Sequence, residues 1–292
     1  MTFEEPAIRL RFGSGSEAER AQREESAQAR AGGAQIPGYE EIISRYPAFR
    51  DALSVYAAGS VVQGWGHAAS DIDLYVVTDG ELRPSGELES FERRVATGDP
   101  VIHIVLGEFG PFRADIEVWR AAQIDEVISW FGVGTPSQEA PEPGPFEQDL
   151  MDRLAAGRPL HGVAWWQQRR DAIHRSGYGL WLAENRKLTA ENYLEDVGGL
   201  LVSGDAQSAL LSAHEAVLSS LEALLATHGD YSTKRKWLYR RLVATKPAEI
   251  STEEAWSLIT MSGAAEDPGG WAAKTARIAQ RLLLTVEGKA HA

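Results

Sequence analysis

The sequence predicts an α+β protein, with a sheet built in the first half of the chain and an all-α helical bundle in the second. Three observations predict it. Short apolar runs of β type crowd the span from residue 53 to residue 119, and a Pro- and Gly-rich stretch from Val133 to Pro145 follows. Beyond that stretch, apolar residues recur at helical spacing. The chain has 292 residues and 43% hydrophobic content, enough to bury a substantial core divided between two modest domains. The expected divisions are an arm over 1–36, a sheet domain over 37–145 and a helical domain over 146–292.

The elements follow in order. Glu17 to Ala31 is Ala-, Glu- and Arg-rich with almost no apolar face, so it reads as a solvent-exposed helix or a mobile arm. Ile42, Ile43 and Tyr46 fit one face of a helix that opens after Pro37-Gly38 and breaks at Pro47. Leu53, Val55, Tyr56 and Ala57 make the first strand and Leu74 to Val77 the second, with a glycine turn and one helical piece between them. Residues 80–100, punctuated by Pro84, Gly86, Gly98 and Pro100, read as a helix between loops. Val101 to Leu106 and Arg113 to Trp119 are two further strands, joined by a Gly-Glu-Phe-Gly-Pro turn. After the linker, Phe146 to Ala156 reads as a short helix that Gly157-Arg158-Pro159 ends as a turn. Helices are then expected over Val163–His174, Tyr178–Val202, Asp205–His228, Tyr231–Val243, Thr252–Ser262 and Trp271–Val286. Leu210, Ala213, Val217, Leu221 and Leu224 carry the patterning of a bundle core.

The chemistry concentrates around the second strand. Side chains alternate along a strand, so Asp71 and Asp73 share one face while Ile72 and Leu74 take the other. Two carboxylates that close repel each other unless a cation lies between them, and Mg²⁺, which takes oxygen ligands, suits such a pair. Gly59 lets the backbone approach a phosphate closely, and Ser60 offers a hydroxyl and an amide. Asp115 and Glu117 are also two apart and face the same way on their own strand. Ser70 shapes the turn before Asp71. In the helical half, Tyr231 precedes a local cluster of cations that includes Lys234 and Lys236, in an otherwise acidic chain.

Gly59-Ser60, Gly64 and Ser70-Asp71-Ile72-Asp73-Leu74 together resemble the signature of the polymerase-β-type nucleotidyltransferases, and the likeness covers residues 40–120 best. The Tyr231 to Trp237 run is similar to segments in the helical domains of antibiotic nucleotidyltransferases. The resemblance implies a mixed sheet with flanking helices, capped by the helical domain. It also implies a third metal-site carboxylate, for which Asp115 is preferred, with Glu117 positioning or deprotonating the attacking hydroxyl; the reverse assignment stays open. Asp71, Asp73 and Asp115 would hold one or two Mg²⁺ ions. Gly59 and Ser60 would clasp the triphosphate, with Lys236, Lys234 and Tyr231 reaching its outer phosphates. The implied reaction moves a nucleoside monophosphate, AMP from ATP being the expected case, to a small-molecule hydroxyl. The alternatives are a protein- or tRNA-modifying enzyme of the toxin–antitoxin type and a non-catalytic nucleotide-binding homologue.

Composition narrows the classes. With 29 Lys plus Arg against 42 Asp plus Glu, the net charge of −13 disfavours a broad polynucleotide-binding face and favours a small or cationic acceptor. The absence of cysteine removes disulfides, thiolate metal sites and cysteine nucleophiles. No membrane span and no signal segment are read from the sequence, which makes a cytoplasmic location the expectation. No G-x-S-x-G, G-x-x-x-x-G-K-[ST] or H-E-x-x-H motif is present. Oligomeric state is left open, a homodimer included.

Overall fold

The structure, a computed structural model, describes residues 35–67, 70–80, 90–132 and 141–290. The arm expected over 17–31 and most of the linker lie outside the described residues. The first helix, α1 (Tyr39–Arg45), ends where Pro47 opens a 3-10 turn (Pro47–Phe49), and Ile42, Ile43, Tyr46 and Phe49 are buried beneath the sheet. Next come β1 (Ser54–Ala58), the one-turn helix α2 (Gly59–Val62) and β2 (Ile72–Thr78). Three more strands follow as β3 (Ser90–Arg94), β4 (Val101–Phe109) and β5 (Phe112–Arg120), and α3 (Ala121–Ser129) closes the series.

Three expectations are corrected here. Residues 90–94 form a strand rather than part of a helix, pairing antiparallel with β4 at the edge of the sheet. Four of its five residues are exposed, and an edge strand tolerates such polar composition because one side is open to water. Gly157-Arg158-Pro159 does not simply turn away. After α4 (Pro145–Ala156), Arg158–His161 forms β6, which pairs antiparallel with β1 as the opposite edge. Pro159 is acceptable there because an edge strand has backbone positions outside the ladder. The β4–β5 turn is also tighter than expected, only Gly110-Pro111 lying between the two strands.

The sheet is mixed, in the order β3-β4-β5-β2-β1-β6, with β2 and β5 parallel and the other neighbours antiparallel. Its two faces have different partners. Ile72, Leu74, Val76, Ile116 and Val118 pack with α1 on one face. Tyr56, Tyr75, Val77, Ile102 and Trp119 face the helical half. The alternation of side chains therefore turns Asp73, Asp115 and Glu117 towards the helices.

The second half is a region of packed helices, as expected. It comprises α5 (Val163–Arg175), α6 (Tyr178–Ser203), α7 (Ala206–Thr227), α8 (Leu238–Thr245), α9 (Thr252–Ile259) and α10 (Pro268–Ala290). Ala213, Val217, Leu221 and Leu224 of α7 are fully buried, and Leu210 is half-buried. By length and composition α7 meets the criterion for crossing a membrane, which the sequence reading did not register, and 67% of its apolar window is buried inside the fold against α6 and α10. The helix expected from Tyr231 begins later. Residues 231–234 have no regular secondary structure, a 3-10 turn spans Arg235–Trp237, and α8 follows.

Candidate functional site

The end of β1, the start of β2 and the first half of β5 lie side by side in the sheet. Ala58, the last residue of β1, pairs with Asp73, and Asp73 pairs with Asp115 across the parallel ladder. Adjacent strands lie about 4.8 Å apart, so register alone sets the two acids side by side. Asp71 stands just outside β2 on the same side.

Gly59 turns the chain at that point with φ +76°, a left-handed conformation open to glycine. The space a Cβ would need is already taken by the Asp73 carboxylate, with Arg153 Nη1 3.0 Å from the same position. Ser60 follows in α2, and its carbonyl accepts hydrogen bonds from the backbone N–H groups of Trp65 and Gly66, which fold the connector back on itself. Ser70 holds the next turn as expected, its Oγ accepting from the His67 amide at 2.9 Å.

Ser60, Asp71, Asp73 and Asp115 line one cavity of about 230 Å³, opposite Lys234 and Lys236. Glu117 is not among its lining residues. It sits two residues deeper along β5, where its Oε1 accepts from the Tyr75 hydroxyl and its Oε2 from Trp119 Nε1, both at 2.9 Å. Tyr231 is also away from the acids, buried at 6% exposure, with its ring edge-on to Tyr178. The structure thus brings Gly59, Ser60, Asp71, Asp73, Asp115, Lys234 and Lys236 together and leaves Glu117 and Tyr231 outside that cavity.

Electrostatics follow from crowding. Burial raises the pKa of Asp73, the Arg153 guanidinium opposes the rise, and Asp115, Asp149 and Asp71 reinforce it. Asp115 is raised by burial and then by Asp71, with Arg113 opposing. Burial lifts Glu117 to about 7 despite its two hydrogen bonds. Asp71 is forked by Arg113, at 3.1 Å to Oδ1 and 3.0 Å to Oδ2, and that arginine side chain is 72% exposed.

Arg153 is the residue that sequence reading missed. It projects from α4 into the space between the sheet and the helical half, where burial works against its charge. Asp73, the Tyr75 hydroxyl, Asp152 and Asp149 outweigh that penalty and hold the guanidinium protonated. Its neighbour on α4, Asp149, accepts from Lys234 Nζ at 2.8 Å, fastening the loop before α8 to the sheet side. Asp149, Asp152 and Arg153 stand at i, i+3 and i+4, a spacing that puts all three on one helix face and would have flagged α4.

Among the described residues, no three acidic or imidazole groups are gathered in coordinating positions around one point. The donor set still suits Mg²⁺, which is commonly held by one or two carboxylates together with substrate phosphates rather than by a closed protein cage. All three acids line one cavity, and the guanidinium on Asp71 is solvent-exposed.

A second cavity, of about 200 Å³, adjoins the first and shares Ser60, Arg153, Lys234 and Trp237 with it. Trp65, from the connector after α2, and Trp237 both line it and pack against each other, with ring centroids 5.8 Å apart and planes tilted by 42°. Arg240 ties the two sides together, donating to the Trp65 carbonyl at 3.3 Å and lying over the Trp237 ring.

No protein-family model matches this sequence, and no curated protein matches it. Among solved structures, the chain is similar in shape to a nucleotidyltransferase-like protein from Exiguobacterium sibiricum 255-15, with a TM-score of 0.41 and 9% identity. That distant match covers 84% of this chain and 72% of the other.

Proposed function

We propose that this protein is a Mg²⁺-dependent nucleotidyltransferase that moves a nucleoside monophosphate, AMP being the expected one, from a nucleoside triphosphate to a hydroxyl of a small molecule. The observation that carries this reading is the meeting of Asp71, Asp73 and Asp115 beside the left-handed Gly59, in one cavity with Lys234 and Lys236.

Asp71, Asp73 and Asp115 would hold the ion, which when bound supplies Lewis-acid stabilisation of charge on the phosphate oxygens. The acceptor oxygen forms a bond to the α-phosphorus as the bond from that phosphorus to the bridging oxygen breaks. The bridging oxygen leaves with its electron pair as part of pyrophosphate. Lys234, Lys236 and Arg153 oppose the charge that builds on this leaving group. The acceptor's proton goes to a carboxylate on β5, Asp115, which lines the cavity beside Asp71. Glu117, with both oxygens engaged, acts from behind by holding Tyr75 and Trp119 in place under the acids.

The test is pyrophosphate release from each labelled triphosphate in the presence of Mg²⁺ and a panel of hydroxylated metabolites. One triphosphate and one acceptor class should give turnover, and Asp73→Asn should lose at least about 10²–10³-fold in kcat while keeping its circular dichroism spectrum. Full activity in that variant, or no pyrophosphate with any pairing, would overturn the proposal.

A further inference from the structure

Lys234, Arg235 and Lys236 set three cations side by side in the chain, and the fold sends them two ways. Lys234 and Lys236 line the carboxylate cavity, whereas Arg235 lines neither cavity and turns to α7. There its guanidinium spans one helix face, on which Glu215, Ser219 and Glu222 stand at i, i+4 and i+7. Nη1 donates to Glu215, Nη2 to Ser219 Oγ at 3.0 Å, and Nε lies 3.4 Å from each oxygen of Glu222. Glu222 is the unusual member. Its side chain is 3% exposed, between the fully buried Leu221 and Ala223 of an apolar helix. A carboxylate there costs stability unless cations meet it, and they are Arg235 and, 3.7 Å away on α6, Arg186. Such buried pairs contribute little net stability compared with apolar replacements, and their best-attested use is to fix register.

We infer that Glu222 and Arg235 are positioning residues, which anchor the 3-10 turn to α7 so that Lys236, with Lys234, is presented to the phosphates. This rests on the transferase reading, which supplies the phosphates that the lysines meet. Lys234 has Asp149 to steer it. Lys236 has no carboxylate partner among the described residues, its ammonium lying 5.3 Å from the Trp237 ring centroid. Its place in the cavity therefore depends on where the turn is held, and Arg235, the first residue of that turn, ties it to the buried end of the contact at Glu222. A middle cation turned inward and locked leaves its two neighbours facing out on the other side.

The experiment is calorimetric titration of the full chain with inorganic tripolyphosphate in Mg²⁺, beside the pyrophosphate-release assay, in which the KM for the triphosphate is followed. The sign of the effect separates anchoring from simple electrostatics. Glu222→Gln removes a negative charge, which by its field alone would tighten the binding of a polyanion, whereas loss of the anchor weakens it. Glu222→Gln and Arg235→Met should each weaken tripolyphosphate binding at least about fivefold, and raise the KM alike. In a Lys236→Met background, Glu222→Gln should cost less than about twofold more, because both changes then act through one contact. Mn²⁺ affinity without nucleotide should stay within about twofold, since the acids stand on strands that the anchor does not touch. Glu215→Gln, at the exposed end of the contact, also removes a negative charge and serves where the buried variant does not fold; it should weaken binding at least about twofold. Binding as tight as the parent's or tighter in the glutamine variants, or losses that multiply with that of Lys236→Met, overturns the inference and leaves the transferase reading standing. Weakened tripolyphosphate binding in a protein that turns over no triphosphate supports the anchor and sinks the transferase reading instead. A parent that neither binds tripolyphosphate nor releases pyrophosphate overturns both.

Discussion

The acids of the site stand on strands and its cations on helices and loops, and the two sets are held in different ways. Asp73 is fixed by two ladders at once, with Ala58 on one side and Asp115 on the other, so its position is set by backbone pairing that no side-chain change easily moves. The cations have no such frame. Lys234 lies on the segment before α8 and is steered by Asp149, and Lys236 is exposed with its ammonium over the Trp237 ring. A site built this way has a rigid half, set by backbone pairing in the sheet, and an adjustable half, set by side-chain pairing. Breaking the rigid half should cost most, and altering the contacts that tune it should cost less.

The sharpest way to break the rigid half is Gly59→Ala. The added methyl would collide with the Asp73 carboxylate in a backbone conformation that already penalises an L side chain by about 1–2 kcal/mol. Displacing a reacting group by as little as an ångström can cost about 10²-fold in rate. Turnover should therefore fall by roughly that factor, with a loss of stability of about 1–3 kcal/mol in chemical denaturation. An alanine variant with unchanged kcat would show that Asp73 is free to move and that the ladder does not govern the site.

The same contrast explains what could be read from sequence. Asp71, Asp73, Gly59 and Ser60 were legible because they are local: alternation along one strand and one turn place them. β3 and β6 were not, since an edge strand has no apolar alternation to announce it, and Pro159 reads as a breaker unless its neighbour β1 is known. Arg153 was illegible for a different reason. It lies 80 positions beyond Asp73, on a helix that looks like any amphipathic helix until the fold turns one face of it onto the strand ends. Glu117 shows the limit of alternation, which gives the face of a side chain and not its depth along the strand.

Arg153 links the two halves, and Arg153→Met keeps its length while removing its charge. Asp73 then loses the main influence opposing its raised pKa and is pushed higher. Activity that requires ionised Asp73 should have its acid limb moved to higher pH, and kcat/KM at neutral pH should drop about tenfold, the low end of an interaction between charged groups. Stability follows the same sign. A carboxyl whose folded pKa lies above its unfolded value contributes stability at low pH that is lost as pH rises through the folded pKa, so the variant should lose more stability than the parent between acid and neutral pH. A pH–rate profile superimposable on the parent's would place Arg153 outside the electrostatics of Asp73.

Arg113→Ala should have the smallest effect, and it tests whether the acids are organised by their strands or by the guanidinium that forks Asp71. The pair is exposed on the arginine side, so its removal should change stability by no more than about 0.5 kcal/mol. Asp115 also loses an opposing charge, which raises its pKa further and makes it more readily protonated at mildly acid pH. Against that, both oxygens of Asp71 are released. Above the titration range of the acids, the release should dominate. Mn²⁺ affinity without nucleotide, followed by electron paramagnetic resonance, should then rise roughly twofold to fivefold, the equivalent of an exposed ion pair worth up to about 1 kcal/mol. Weaker Mn²⁺ binding in Arg113→Ala would mean that Asp71 owes its position to the arginine, and the strand-held half of the site would shrink to Asp73 and Asp115.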